Sequence, residues 1–324
     1  MEPIRIPNIR FNSELASTII ELERVRARLH QHTRTDPPLY DDLRKLFQNL
    51  SNIMSARIEG NRTTVLDALQ GVREGQSHDE GVQEILNLEK ASAYIDEAVT
   101  EEFVFTEMFI RELHALAVSG LNREGDTTPG SYRSTEVRIA QTAHHPPGPE
   151  SVPADMRELV EFMNESMSPQ YHLLQVAIVH HRFVWIHPFG NGNGRVSRLL
   201  TYAMLVKLGF TSASGYRALN PTVVFGSDRQ AYYEHLSIAD SLRDEDIEKW
   251  CLYVLHGVAS DMKNILDLSS SAFVLNELYG PALEKAYDEA LLTGKEVAVL
   301  LKIADSREVS AGDVKDLLPG SSAV

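Results

Sequence analysis

The stretch Ile186-His187-Pro188-Phe189-Gly190-Asn191-Gly192-Asn193-Gly194-Arg195-Val196-Ser197-Arg198 concentrates the residue types that do chemistry. A histidine opens it, glycine recurs at every second position, and Arg195 and Arg198 lead into an apolar run from Leu199 to Leu208 that reads as a helix. A glycine-rich turn feeding a helix N-terminus exposes backbone N–H groups at the positive end of the helix dipole, which makes an anion site. Two arginines one turn apart add charge-assisted forks for phosphate oxygens. A histidine at the mouth is suited to taking a hydroxyl proton near neutral pH. Together they point to phosphoryl or nucleotidyl transfer. Other glycine-rich motifs fit poorly: a P-loop needs Gly-Lys followed by Ser or Thr, and a dinucleotide fingerprint needs G-x-G-x-x-G where this chain has G-x-G-x-G.

The elements that must position this stretch are mostly helical. From Ser13 to Leu69 apolar residues recur at helical spacing, Leu15, Ile19, Ile20 and Leu22, then Leu43, Leu46, Phe47 and Leu50, with a break into two helices at Asp36-Pro37-Pro38. A Gly- and Glu-rich loop (71–81) precedes a run through Ile85, Leu86, Leu88, Ala91 and Ile95, and 105–121 is helical again. Residues 132–150 differ: Val137 and Ile139 alternate with polar residues before His144, His145 and three prolines, predicting a short hairpin or flap. Helices resume at 154–167 and 171–186. VAIVHHRFVWI alone also suits a buried strand, and only the following motif favours helix. Further helices are expected around 232–242 and 247–266.

Length and composition narrow the class. At 324 residues the chain is longer than one compact core usually needs, and its 43% hydrophobic and 24% charged fractions are those of a soluble globular protein. A formal net charge of −15 argues against non-specific binding to nucleic acid or anionic membrane. One cysteine, Cys251, excludes an intramolecular disulfide and is expected to pack in a helix. No stretch reads as a signal peptide or membrane span, so a cytoplasmic location is expected.

HPFGNGNGRVSR resembles the signature of the Fic family, whose pattern is H-x-F-x-(D/E)-G-N-G-R-x-x-R. The resemblance extends over roughly 105–255 and includes Leu113-His114, Gly130-x-Tyr132-Arg133 leading into Val137-x-Ile139, and Phe183 with Ile186. It implies a mainly α fold: a helical bundle with a small β-hairpin flap. The organisation expected is an N-terminal helical region (1–100), the core (101–265) and a C-terminal helical segment (266–324). At its end, SAGDVKDLLPGSSAV (310–324) resembles the second helix and turn of a winged helix, although the acidic balance argues against DNA binding.

Carried over residue by residue, the resemblance makes His187 the general base for a Ser, Thr or Tyr hydroxyl. Phe189 is buried, the backbone amides of Gly192, Asn193 and Gly194 form the anion hole, and Arg195 and Arg198 contact the phosphates of ATP. The flap at Arg138, Ile139 and Ala140 docks the target by β-augmentation. Tyr232 and Tyr233 are placed near the base, with a core role equally open. Mg²⁺ or Mn²⁺ is expected with ATP. Asn191 stands where the family has its acidic metal ligand and brings no charge, so a weak metal site and slower transfer are expected.

A second resemblance lies upstream. Ser55-Ala56-Arg57-Ile58-Glu59-Gly60 is similar to the family's inhibitory motif, (S/T)-x-x-x-E-(G/N), and its place before the core matches the self-inhibited members with an N-terminal inhibitory helix (class II). It implies that Glu59 pairs with Arg198, occupying the arginine and repelling the triphosphate. The expected activity is AMP transfer from ATP to a protein hydroxyl, on a partner or on the chain itself. AMP removal and a nucleotide-binding regulator remain as alternatives, and the resemblance also admits self-association. His144-His145 and His180-His181 lack the spacing of a zinc site, and His180 and His181, leading into the motif, are expected to pack or to support it.

Overall fold

The computed structural model describes residues 3–31, 49–75, 77–123, 125–139, 144–210, 225–226, 228–268, 279–305 and a few isolated positions between 276 and 315. Within them the chain is helical: α1 (Glu14–Gln31), α2 (49–58), α3 (Val65–Glu74), α4 (Glu80–Ala98), α5 (Glu107–Ala117), α6 (Val152–Asn164), α7 (His172–Ile186), α8 (Asn193–Lys207), α9 (Arg229–Ala239), α10 (Asp244–Leu268), α11 (Gly280–Asp288) and α12 (Gly294–Asp305).

The bundle is organised around α7. It packs against α6, α8 and α10, α5 and α4 pack on each other and on α8, and α1 lies along α10. Every residue of α7 from Leu173 to Phe183 is buried, which explains why periodicity could not separate helix from strand there. Buried polar groups on α7 find partners across the bundle. The Trp250 indole donates to the Ala177 carbonyl at 2.7 Å, while His180 meets Thr201 at 2.8 Å and Tyr232 at 2.9 Å. His181 contacts Asp240 at 3.1 Å, so both histidines pack as expected. Cys251 is buried in α10, where burial pushes its thiol pKa up, the wrong direction for a nucleophile.

Four scaffold helices are closed at their N-termini by side chains: Thr64 caps α3, Asp79 caps α4, Thr106 caps α5 and Asp228 caps α9, each accepting from an N–H in the first turn. The cap of α8 is Gly192, at φ +75°, which has no side chain to offer. The first amides of α8 are therefore open to an external anion.

Two expectations change. The second apolar run does not continue to Leu69 but breaks between α2 and α3, where Gly60 at φ +100° ends α2. No strand occurs among the described residues. Val137 and Ile139 are half-buried and Arg138 is exposed, an alternation suited to an edge, but none of the three is paired in a ladder. Ala140 and the rest of the expected flap tip to 143 lie outside the described residues, as does most of the winged-helix-like end. Among the described residues no helix is long and apolar enough to cross a membrane.

Candidate active site

His187 ends α7 in the left-handed region at φ +51°, a conformation that costs a non-glycine residue about 1–2 kcal/mol. Arg133 holds it there. Its Nε donates to the His187 carbonyl at 2.7 Å, Nη1 to the Thr135 carbonyl at 3.1 Å, and Nη2 to the carbonyls of Ile186 at 3.3 Å and Pro147. The Arg133 backbone N–H adds a bond to the Pro188 carbonyl at 2.8 Å. One buried guanidinium thus satisfies the carbonyls left over at the end of α7 and fixes the turn that carries the histidine.

The imidazole is oriented from below. Nδ1 lies 3.2 Å from the Val184 carbonyl, which can only accept, so Nδ1 carries the proton and Nε2 keeps its lone pair. Burial lowers the His187 pKa to about 4, against the opposing pull of the Val184 bond. At neutral pH the ring is uncharged and ready to accept a proton.

The loop after His187 is braced from both sides. Phe189 is fully buried and stacks on His114, with centroids 3.8 Å apart and planes within 3°. The Asn193 side chain closes the loop on itself, accepting from the Phe189 N–H at 2.9 Å and donating to the Phe189 carbonyl at 2.8 Å. His114 accepts from the Gly130 N–H at 2.9 Å through Nδ1, so its Nε2–H donates to the Asn191 carbonyl at 3.2 Å. Burial lowers the His114 pKa to about 4, which keeps that tautomer neutral.

Two assigned loop residues turn out differently. Gly192 does not offer its N–H to the anion hole, because that amide donates to Asn191 Oδ1 at 2.7 Å. The open amides narrow to those of Asn193 and Gly194 at the start of α8. Asn191 likewise turns its side chain into the loop, leaving a metal ion only the second lone pair of a neutral oxygen. Its Oδ1 is taken by Gly192 and its Nδ2 donates to the Gly125 carbonyl at 3.2 Å. Among the described residues no group of three or more His, Cys, Asp or Glu could hold a metal ion.

The arginines are both seated on carboxylates. Arg198, 1% exposed, pairs through Nη2 with Glu59 Oε1 at 2.8 Å, while its Nε donates to the Ser55 hydroxyl at 2.9 Å and Nη2 also reaches the Ser55 carbonyl at 3.1 Å. Burial alone would raise the Glu59 carboxyl, but the adjacent Arg198 outweighs it and holds the group below the usual carboxylate range. Burial would likewise lower Arg198, and Glu59 reverses that. The carboxylate also lies over the helix end: a Cβ on Gly194 would fall 2.2 Å from Glu59 Oε1 and 3.2 Å from Arg198 Nη1. That Nη1 is buried and, among the described residues, has no hydrogen-bond partner.

The presentation of Glu59 follows from how α2 ends. The Asn61 N–H bonds back to the Ala56 carbonyl at 3.1 Å and the Gly60 N–H to Arg57 at 3.0 Å, a Schellman stop with Gly60 in the left-handed position. Asn61 then donates to Glu84 at 2.8 Å, and Glu84 pairs with Arg195 at 3.2 Å, both partners buried. Tyr232 is a core residue whose hydroxyl is tied to His180, while Tyr233 is half-buried beneath Arg229. Sequence reasoning gave no role to Arg133, His114, Asp126, Asn61 or Glu84. Only Gly130-x-Tyr132-Arg133 and Leu113-His114 had drawn notice, as parts of a resemblance.

Residues 104–205 match the Fic/DOC family model. The chain carries a Fic/DOC domain. That domain spans α5 to α8, with His187 and both arginines, whereas the Ser55–Gly60 segment and Tyr232 lie outside it. The chain is 32% identical over 194 residues to protein adenylyltransferase Fic of Drosophila grimshawi, covering 57% of this chain and 37% of that one. The Drosophila melanogaster protein of the same name is 31% identical over the same length, with 57% and 36% covered. The chain therefore spans little more than a third of the length of these curated relatives. Among solved structures, a Fic family protein from Desulfovibrio desulfuricans G20 superposes with a TM-score of 0.64 at 21% identity, covering 98% of this chain and 87% of that one. A fragment of Fic-1 from C. elegans gives 0.61 at 18%, covering 78% and 72%. These two support the fold of the Fic/DOC domain and its flanking helices.

Proposed function

We propose that this chain transfers AMP from ATP to a Ser, Thr or Tyr hydroxyl of a protein, itself included, and that Glu59 restrains it. The observation that carries this reading is the seat of Glu59, a carboxylate lying on Arg198 and across Gly194 at the open end of α8. A place that holds one anion in a buried fork beside helix amides is built for anions, and here the occupant is the chain's own. The adenylyltransferase names of the relatives support the reaction class.

In the reaction, His187 Nε2 takes the proton from the target hydroxyl as its oxygen attacks the α-phosphorus. The α–β phosphoanhydride bond breaks and pyrophosphate leaves. The N–H groups of Asn193 and Gly194 hold α-phosphate oxygens, and Arg195 and Arg198 compensate the β- and γ-phosphate charge. The segment at Arg138 and Ile139 lies along the target backbone. Arg133 keeps His187 aimed throughout. A divalent ion, supplied with ATP, would neutralise phosphate charge, but Asn191 is committed elsewhere and no step here depends on a protein-held metal.

The test is self-labelling by Glu59→Gly with labelled ATP, with His187→Ala as control. Label that requires His187 supports the transferase, and label greater than in the parent chain supports restraint by Glu59. Absence of label from a folded, nucleotide-binding protein refutes it and leaves a binding regulator. Glu59 is also close enough to His187 to raise its basicity, which favours a second reading in which the pair activates water to remove AMP. In that case Glu59→Gly would abolish release of AMP from a modified protein.

A further inference from the structure

Position 191 departs from the Fic pattern, and the structure shows what the amide does instead. All four polar groups of Asn191 are turned to the protein. The side-chain Oδ1 accepts from the Gly192 N–H at 2.7 Å, and Nδ2 donates to the Gly125 carbonyl at 3.2 Å. The backbone N–H donates to Asp126 Oδ2 at 3.1 Å, and the backbone carbonyl accepts from His114 at 3.2 Å. The residue ties the connection between α5 and α6 to the signature loop.

Among the described residues, the carboxylate seen in contact with Asn191 is that of Asp126, whose side chain is 4% exposed and is itself committed to the loop. Its Oδ2 takes the Asn191 amide and sits 3.6 Å from His114 Nε2, while its Oδ1 takes the Thr128 amide at 2.8 Å and hydroxyl at 3.1 Å. It lies against Gly190, where a Cβ would come within 2.9 Å of Oδ2. An aspartate at 191 would behave differently from asparagine. Two acceptors repel, so its second oxygen could not remain against the Gly125 carbonyl and would have to leave the brace.

We propose that Asn191 is a loop-bracing residue and that this site grips a nucleoside triphosphate without a protein ligand to its metal, so that ATP affinity is independent of divalent cations. Phosphate charge is met by Arg195, Arg198 and the open amides of α8. Magnesium, by neutralising part of that charge, leaves affinity equal or slightly weaker. This rests on the site being the nucleotide site proposed above.

The experiment titrates ATP into the full chain carrying Glu59→Gly, by calorimetry, with EDTA and again with excess Mg²⁺. The expected affinities agree within about threefold, Mg²⁺ bringing no gain. Adding Asn191→Asp should weaken ATP binding in EDTA by at least ~10-fold, because a carboxylate then faces the phosphates, and Mg²⁺ should restore it. Mn²⁺ binding to that variant in the presence of ATP, read by electron paramagnetic resonance, should tighten relative to the Asn191 chain. A gain of ~10-fold or more with Mg²⁺ in the Asn191 chain overturns the inference, whether or not the aspartate variant folds. Arg198→Ala separates the two readings. If it weakens ATP binding while the Asn191 chain is strongly Mg²⁺-dependent, only this inference falls. If it leaves ATP binding unchanged, the nucleotide site itself is misplaced and both fall.

Discussion

Arg133 should matter more to catalysis than to nucleotide binding. Its side chain makes four hydrogen bonds to main-chain carbonyls, two of them on the turn that holds His187. Lysine in its place brings a single ammonium on a flexible stem and keeps about two of these bonds. Losing two charge-assisted bonds at ~1.5 kcal/mol each predicts that Arg133→Lys destabilises the fold by about 3 kcal/mol. The left-handed His187, strained by about 1–2 kcal/mol, would then relax and carry Nε2 off line. A displacement near 1 Å is enough for ~100-fold in rate. The phosphate side is untouched, since Arg198 and the first amides of α8 lie beyond the loop. The assay combines urea unfolding, ATP affinity and self-labelling, all in the Glu59→Gly background. Destabilisation with slow labelling and ATP affinity within about twofold is the expected pattern. Normal labelling, or a loss confined to ATP affinity, would refute the idea that Arg133 acts by aiming the base.

Gly60→Ala places a side chain at φ +100° with open space around it, so its effect is purely conformational, about 1 kcal/mol of strain. It should raise basal self-labelling a few-fold by loosening the end of α2, and unchanged labelling would show that the Schellman stop does not hold Glu59. Gly194→Ala should help the helix by propensity, yet its Cβ would meet Glu59 Oε1. Both the Glu59–Arg198 pair and ATP binding should weaken, read as a lower melting temperature and lost affinity; a more stable protein with intact ATP binding would contradict the geometry. His114 and His187 both titrate near 4 when folded, below ~6.5 for a free histidine. Between those values the unfolded chain binds protons that the folded chain refuses, so stability should fall as pH drops from ~6.5 towards ~4 and hold above that window. For the same reason the labelling rate at limiting ATP should show no histidine limb between about pH 6 and 8; an inflection near 6.5 would mean that His187 is less buried than described.

Much of the candidate site was legible because the side chains it brings together are of types suited to chemistry and stand at short spacing. His187, Arg195 and Arg198 stand within one motif, and Ser55 and Glu59 lie one turn apart on one helix face. What stayed hidden depends on main-chain partners, which a sequence does not display. Arg133 works on four carbonyls, Asn191 on one carbonyl and one amide, and the Gly192 amide is taken by the residue before it. The end of α2 at Gly60 was masked because apolar spacing continues on both sides of it, and only the left-handed turn reveals the break. α7 was ambiguous for the opposite reason: burial on every side erases periodicity. The pairing of Arg195 with Glu84, more than a hundred positions upstream, needed the fold itself.

The Glu59 carboxylate sits on Arg198 and beside Gly194, within the proposed phosphate site. If closing that contact is favourable by ~2 kcal/mol, below the ~3–5 kcal/mol of breaking a fully buried pair because Glu59 is 27% exposed, Arg198 is free in about 3% of molecules. On the proposed seating, a nucleotide that needs Arg198 binds about 30-fold more weakly than its intrinsic affinity. The contact then sets a concentration threshold rather than a block, and raising ATP displaces Glu59 without any change in the protein.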